Sequence, residues 1–518
     1  MNVKKLLLDK YPTGIIFGLT SLVLFIGRII SFRENSLDPD ELEYMYAIRR
    51  CLENPSPFVG FDAHTSGPFA IYVLSFFKLV TGFSKLYQLR LISFFFFMVP
   101  SLFLVAKSAQ KGTAIMSMVA FGILVQCFNV PFFGQYYDGI FCYNTEYQLM
   151  VFTALLFWIV RYGKGPISTV FYAFLLFVLP FVKFQALPLT AFFGILLVGK
   201  LAFEKKYQQV VLLITTYLVF NLLWFGFLFL IGNMDDFYFA YIEKNFEYIS
   251  SDAFGQEKIN PLNFFNRFNP YYGFLWIFIL LVGYKWVTSK TPVLKQLTFG
   301  LFQNPVFQSM SFFLVAVLSI ILGKNDYGHY YILLFVPAAI FVGDVYQSFP
   351  TFSPVFYIVL LMHFNYTVFS NSCRLVVDKI QHKPIDQYTF GKPFSSLVNE
   401  EMKSYLLANK VPNAAILSLG WTQSHALYYE LQYDFDLTYR SSQCSYYERA
   451  FREKNLYMFK KEEQVLFEDL TKKMPYFIVD TWDLVTKFKG TALPAFVAKH
   501  YELKLKRKEF AIFQLKKQ

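Results

Sequence analysis

Apolar runs close to twenty residues long recur over the first 370 residues and then stop. They fall at about 12–31, 66–84, 90–107, 112–132, 146–161, 166–182, 185–202, 209–231, 271–289, 308–323, 330–346 and 353–370. A helix of roughly 20 apolar residues matches the roughly 30 Å hydrocarbon core of a bilayer. The pattern therefore predicts an α-helical polytopic membrane protein. Beyond residue 370 the periodicity changes. "AAILSLG" (414–420) and "YFIVD" (476–480) read as buried strands, "KKEEQVLFEDLTKK" (460–473) as a surface helix, and 501–517 as two alternating strands that close the chain. The expected division is a transmembrane domain over 1–370 and an external soluble α/β domain over 371–518. The second segment is long enough to bury its own core.

Composition agrees. The chain is 55% hydrophobic and 21% aromatic but only 16% charged, against roughly 25% charged in ordinary soluble domains. A mean hydropathy of +0.38 excludes a disordered chain and argues against a wholly soluble enzyme. The net charge of +12 divides evenly, +6 on each side of residue 370. Neither side has the dense basic stripe of a nucleic-acid binder, so no nucleic-acid partner is expected. Anchoring charges and a domain facing anionic lipid account for the balance. Cys51, Cys127, Cys142, Cys373 and Cys444 are scattered without a CxxC pair, which fits neither a zinc site nor a disulfide framework. The first apolar run lacks a small-residue cleavage site and reads as an uncleaved span.

Charge also orients the spans. With 66–84 lying along the outer surface and eleven runs crossing, the cytoplasmic ends collect thirteen Lys or Arg. The external connections after residue 107 then hold five: Lys183, Lys244, Lys258, Arg267 and Lys324. If 66–84 crosses, the basic loops lie outside, against the positive-inside rule. The expectation is eleven crossings, a cytoplasmic N-terminus and an external C-terminal domain. One face then gathers Asp38, Asp40, Glu41, Glu43, Glu53 and Asp62 in 32–65, Asp138 and Glu146 around 133–146, Lys183 at a later turn and His329 at another.

The stretch "DPDELEYMYAIRRCLEN" places Leu42, Met45, Ile48 and Leu52 at helical spacing. It predicts a short amphipathic helix on the membrane surface. Two readings of its acids stand side by side. Asp40 caps the helix while Glu41 and Glu43 favour its dipole, or a carboxylate at the water–lipid boundary deprotonates an acceptor hydroxyl. Lys183 either snorkels to the interface or contacts a phosphate. Asp138, beside Gly139, is a turn residue or an acceptor contact.

"PDELEYMYAIRRCLE" after the first span resembles the acidic motif of GT-C membrane glycosyltransferases. The chain is most similar there to glycosyltransferase family 39, the protein O-mannosyltransferases and the aminoarabinose lipid A transferase. The resemblance continues in order through Gly67-Pro68, Tyr72, Gly82 and Arg90-Leu91, then "VPFFGQYYDGIFCYNTEYQLMVF", "FVKFQALPLTAFFGILL" and "NDYGHYYILLFVPAAIFVG". It covers most of residues 1–345. The chain departs at "DAHTSGP", where the aminoarabinose transferase has a lysine before the proline, so that sugar is not carried across. The resemblance implies inverting transfer from a polyprenyl-phosphate sugar to a glycolipid, glycan or protein. Asp40 matches the expected base, with Asp38 a second candidate. Asp138, Glu146 and Glu41 are the further acids. Lys183, His329, Tyr330, Arg267 and His64 are the cationic or donor groups for the carrier phosphate. Some GT-C enzymes bind a metal through carboxylates of both early loops, and Asp40, Asp138 and Glu146 would suit Mg or Mn. The family-39 resemblance requires none, and no cofactor is assigned. The Lys, Phe and Tyr bias fits an AT-rich bacterial genome, and the expected place is a bacterial inner membrane with the soluble domain in the periplasm, an endoplasmic-reticulum membrane being the alternative. The competing expectation is a transporter or flippase of lipid-linked sugars, which calls for inverted halves and charged helices at mid-membrane.

Overall fold

The computed structural model describes residues 13–28, 32, 39–63, 66–109, 112–128, 144–250, 274–287, 302–323, 328–348, 377, 381, 398–431, 434–436, 456–488 and 491–516. The chain forms two compact units, Met1–Glu34 with His64–Gly391, and Asn35–Ala63 with Lys392–Gln518. The acidic segment after the first span therefore groups with the C-terminal residues. The linear division at residue 370 does not contain that grouping.

In chain order, α1 is Thr13–Gly27 and α2 is Pro39–Glu53, the latter in the second unit. The first unit continues with α3 (Pro68–Thr81), α4 (Leu86–Ser108), α5 (Ala114–Phe128), α6 (Asn144–Tyr162) and α7 (Gly165–Val182). Next come α8 (Phe184–Phe203), α9 (Tyr207–Leu230), α10 (234–250), α11 (Phe274–Val287), α12 (Pro305–Leu322) and α13 (His329–Ser348). Eleven of the twelve apolar runs are helical here, and 353–370 lies outside the described residues. Among the described residues six helices, α4, α7, α8, α9, α12 and α13, are long and apolar enough to cross a membrane.

Burial separates the helices that face lipid from those that face protein. Only 11% of the apolar window of α9 is buried, against 83% for α13. A helix as apolar and uncovered as α9 needs lipid as its solvent. The protein is a multi-pass membrane protein. α13 packs against α5 and α12 in the interior. Gly343 permits the close approach to α5, since a Cβ there would run into Ser117 Oγ.

One end of this bundle is tied by Arg161, at the C-terminus of α6. Its guanidinium pairs with buried Asp344 of α13 at 2.5 Å. It also donates to the carbonyls of Ser108 and Pro305, each at 2.7 Å, and lies 4.4 Å from the ring centroid of Phe157. Four helices, α4, α6, α12 and α13, thus share one cation. Its position near basic neighbours explains why the sequence reads it only as an orientation charge.

The second unit adds α14 (Glu400–Ala408), β1 (Ile416–Leu419), α15 (Trp421–Leu431), α16 (Leu456–Lys472), β2 (Phe477–Asp480), α17 (Leu484–Lys487), α18 (Ala492–His500), β3 (Tyr501–Lys506) and β4 (Ala511–Leu515). The sheet order is β1-β2-β4-β3, with β1 and β2 parallel and the other pairs antiparallel. A parallel pair needs a crossover, and α15 and α16 lie in the segment that makes it. β1 and β2 are buried at every position, as their continuous apolar runs require. Leu417, Leu419, Leu466, Leu470, Ile478, Leu493 and Val497 form the core. The strands and the surface helix fall where the sequence pattern puts them.

The acidic segment is helical as expected, but its placement is not. Leu42, Tyr44, Met45, Tyr46, Ala47, Ile48, Arg50 and Cys51 are all buried, whereas Leu52 is exposed. Within its unit α2 packs on α15. The helix buries more faces against protein than a single apolar stripe provides. The aromatic bodies of Tyr44 and Tyr46 and the stem of Arg50 turn a polar-looking face into a packing face. Pro39 is the first residue of α2, so Asp40 lies inside the first turn rather than at the cap. It favours the helix dipole from there.

Removing one member of the Arg161–Asp344 pair strands the other in a dry setting, which typically costs about 3–5 kcal/mol. Asp344→Ala should lower the thermal midpoint of the detergent-solubilised chain sharply, and Arg161→Met/Asp344→Leu should recover most of the loss. Thermal unfolding followed by size-exclusion monitoring checks both.

Candidate active site

The site starts from how α7 ends. Pro180 lies within its last turn, and Lys183 follows it in extended conformation, with φ −157° and ψ 132°. The terminal carbonyls, which no longer have helical partners, are taken up one by one. Tyr241 Oη donates to the Pro180 carbonyl. The Gly67 N–H donates to the Val182 carbonyl at 3.0 Å, and the Ala186 N–H to the Lys183 carbonyl at 2.9 Å. Only glycine fits at 67, because a Cβ would meet the Phe181 carbonyl oxygen. The Gly67-Pro68 turn and Tyr241 thereby fix the peptide that carries Lys183.

The N-terminus of α6 arrives at the same place. Ser93 Oγ donates to Asn144 Oδ1, and Gln148 Nε2 donates to the Ala70 carbonyl at 3.2 Å. These contacts set the first turn of α6 against α4 and α3. Glu146, in that turn, pairs its Oε1 with the Lys183 ammonium. Its Oε2 accepts the Thr145 hydroxyl at 2.7 Å. The side chains of Glu146 and Lys183 are 1% and 12% exposed, so the charges meet out of bulk water.

α13 supplies the third wall. It opens with a 3-10 stretch, Gly328–Leu334, that brings in His329 and Tyr330. His329 Nε2 is 3.8 Å from Glu146 Oε1. The Lys183 ammonium lies 4.5 Å from the centroid of the Tyr330 ring, within cation–π range. The His329 and Tyr330 rings meet edge to face at 4.6 Å. The result is a lysine paired with a carboxylate and flanked by an imidazole and a phenol ring, where three helix ends meet.

The structure brings together Lys183, Glu146, His329 and Tyr330, which the sequence had assigned to two separate groups. Asp40 is half-buried and Glu41 is buried, both on α2 of the second unit. Asp38, His64, Asp138 and Arg267 lie outside the described residues. Among the described residues no group of three or more His, Cys, Asp or Glu is gathered to hold a metal ion. A cation the sequence reading passed over is Arg28, buried at the end of α1. It donates to Tyr147 Oη at 2.7 Å and lies 5.5 Å from that ring centroid, next in sequence to Glu146. A buried arginine closing an apolar run was the signal available.

No protein-family model matches the chain, and no curated protein matches it by sequence. Solved structures do. Over 96% of this chain and 97% of the other, it superposes on ArnT from Cupriavidus metallidurans bound to undecaprenyl phosphate, with a TM-score of 0.56 at 13% identity. The apo state of that protein gives a TM-score of 0.55 at 12% identity over the same shares. The chain has a GT-C fold. A more distant likeness is the archaeal oligosaccharyltransferase AglB from Archaeoglobus fulgidus, at a TM-score of 0.47 and 12% identity, over 98% of this chain and 74% of that one. In this GT-C bundle the Lys183 cluster sits at the end opposite Arg161, Glu146 and Arg161 being about 22 Å apart along the axis of α6.

The Lys183–Glu146 pair is testable without any substrate. Glu146→Ala should destabilise the solubilised chain by about 3–5 kcal/mol, because it leaves an ammonium buried without its counter-charge. Lys183→Met added to it should restore much of the loss. A double-mutant cycle on thermal midpoints measures the coupling.

Proposed function

We propose that the chain is an inverting glycosyltransferase that moves a sugar from a polyprenyl-phosphate carrier to a glycolipid, glycan or protein acceptor. The reaction takes place on the external face of a bacterial inner membrane. The observation that carries the reading is the Lys183 ammonium, held by buried Glu146 beside His329 and Tyr330. ArnT, which shares the fold, was solved with undecaprenyl phosphate, a ligand whose anionic head suits such a cation.

The chemistry needs few groups. Asp40 takes the proton of the acceptor hydroxyl as its oxygen attacks the anomeric carbon. The bond from that carbon to the phosphate oxygen breaks on the opposite side, which inverts the configuration. The electron pair leaves with the phosphate. Lys183 stabilises the charge that develops there. An ammonium has three N–H donors, so it can hold Glu146 and a phosphate oxygen together. His329 and Tyr330 shape the same wall. Asp38 stands as the second candidate for the base, Asp138 and Glu41 as acids on the acceptor side, and Arg267 and His64 as further donors to the carrier phosphate.

Charge supports the orientation. Lys107, Arg161, Lys164, Lys200, Lys205 and Lys206 lie at helix ends on the Arg161 side, and that side is cytoplasmic by the positive-inside rule. The Lys183 cluster is then external. α3 has 14 residues, about 21 Å at the helical rise, short of a roughly 30 Å core. This supports its reading as a juxtamembrane helix.

Mass spectrometry of glycolipids and glycoproteins from a deletion strain, complemented with variants, tests the proposal. Deletion should remove one sugar from one acceptor class. Asp40→Asn and Lys183→Ala should each lower that product about 100-fold or more at wild-type insertion. Wild-type product from both variants contradicts the mechanism. Accumulation of the lipid-linked donor on the cytoplasmic side alone would favour a flippase.

A further inference from the structure

α2 carries Asp40 in its first turn, and the structure shows what α2 leans on. The ring of Tyr46 lies face to face with Tyr428 of α15, with centroids 4.8 Å apart and planes 18° from parallel. His425, one turn earlier on α15, brings its ring centroid to 6.2 Å from that of Tyr46. All three rings are buried. Tyr428 is itself fixed, because its hydroxyl accepts the Ser418 N–H of β1 at 2.8 Å. Burial, reinforced by Tyr428, raises the Tyr46 phenol well above its ordinary range. Arg50, one turn further along α2, pairs with Glu53 at 2.9 Å. A continuous path therefore runs from the sheet, through Tyr428, to Tyr46. Asp40 lies six residues before Tyr46, about 9 Å along the helix axis.

We infer that the C-terminal unit is the positioning element of the acidic helix, and that Tyr46 and Tyr428 are the positioning residues through which it presents Asp40. The inference rests on the proposed role of Asp40 for its functional part, whereas the docking of α2 stands on the stack alone. It gives the C-terminal residues a task in the reaction without placing any of them on substrate. A stacked aromatic pair suits that task. It has few rotamers and one well-defined geometry, and its hydroxyl ties one ring to a strand that is buried at every position.

The test uses the full chain in lipid nanodiscs, with Tyr46→Ala, Tyr46→Phe and the parent compared. Hydrogen exchange is followed in α2 and in β2, and the transferred product is followed in complemented cells. Tyr46→Ala should speed exchange of the α2 amides about tenfold or more and leave β2 unchanged. Product should fall about tenfold. Tyr46→Phe keeps the stack and should restore both readings. Unchanged α2 exchange in Tyr46→Ala overturns the docking. Faster exchange in α2 and β2 together overturns positioning in favour of a general structural role. Faster exchange in α2 alone with full product overturns positioning as well. If Asp40→Asn leaves product intact, the base assignment fails, and α2 exchange still judges the clasp separately.

Discussion

A lysine inside an apolar bundle persists only where a counter-charge comes with it, because an isolated ammonium in low dielectric is costly enough to lose its proton. Lys183 meets that condition through Glu146, and much of the first unit is arranged around the meeting. Pro180 and the extended backbone at 183 end α7 at the right level. The Gly67 N–H and the Tyr241 hydroxyl occupy carbonyls that the broken helix leaves open. Asn144 and Gln148 anchor the turn that holds Glu146. Each contact is ordinary by itself. Together they place a cation at a helix end, largely withdrawn from bulk water.

α6 carries this logic at both ends. Its N-terminus offers a carboxylate to the cation after α7, and its C-terminus offers a guanidinium to Asp344 of α13. α13 begins with His329 beside Glu146 and reaches Asp344 fifteen residues later. α6 and α13 are thus tied at one end by an ion pair and meet at the other where His329 lies beside Glu146, so neither can slide past the other without uncovering the Arg161–Asp344 charges. Such registration is the best-attested use of buried polar pairs. It lets a largely apolar bundle hold one arrangement.

Much of this was legible in the residues, and the gaps have physical causes. Spans are read from apolar runs, because lipid imposes length and composition on each helix separately. The strands around Leu417 and Ile478 are equally local signals. Lys183, Glu146, His329 and Tyr330 stood out as polar residues at the ends of apolar runs. Which of them would touch is a tertiary fact, and Glu146 was grouped with the acids of its loop rather than with its cation. Asp344 gave no signal because a single acid in an apolar helix says nothing of its partner. α2 misled for a related reason. Its spacing fits a helix with one apolar stripe, but Tyr46 and Arg50 bury their long side chains on another face. Spacing shows that α2 is a helix, while burial on α15 decides where it belongs.

The central claim is that the Lys183 ammonium receives the phosphate of a polyprenyl carrier. Native mass spectrometry of the full chain titrated with undecaprenyl phosphate measures this without knowledge of sugar or acceptor. The parent chain should bind saturably and Lys183→Met should lose most of that binding, with insertion and thermal midpoint of the variant checked alongside. Equal binding by a well-folded Lys183→Met chain would contradict it.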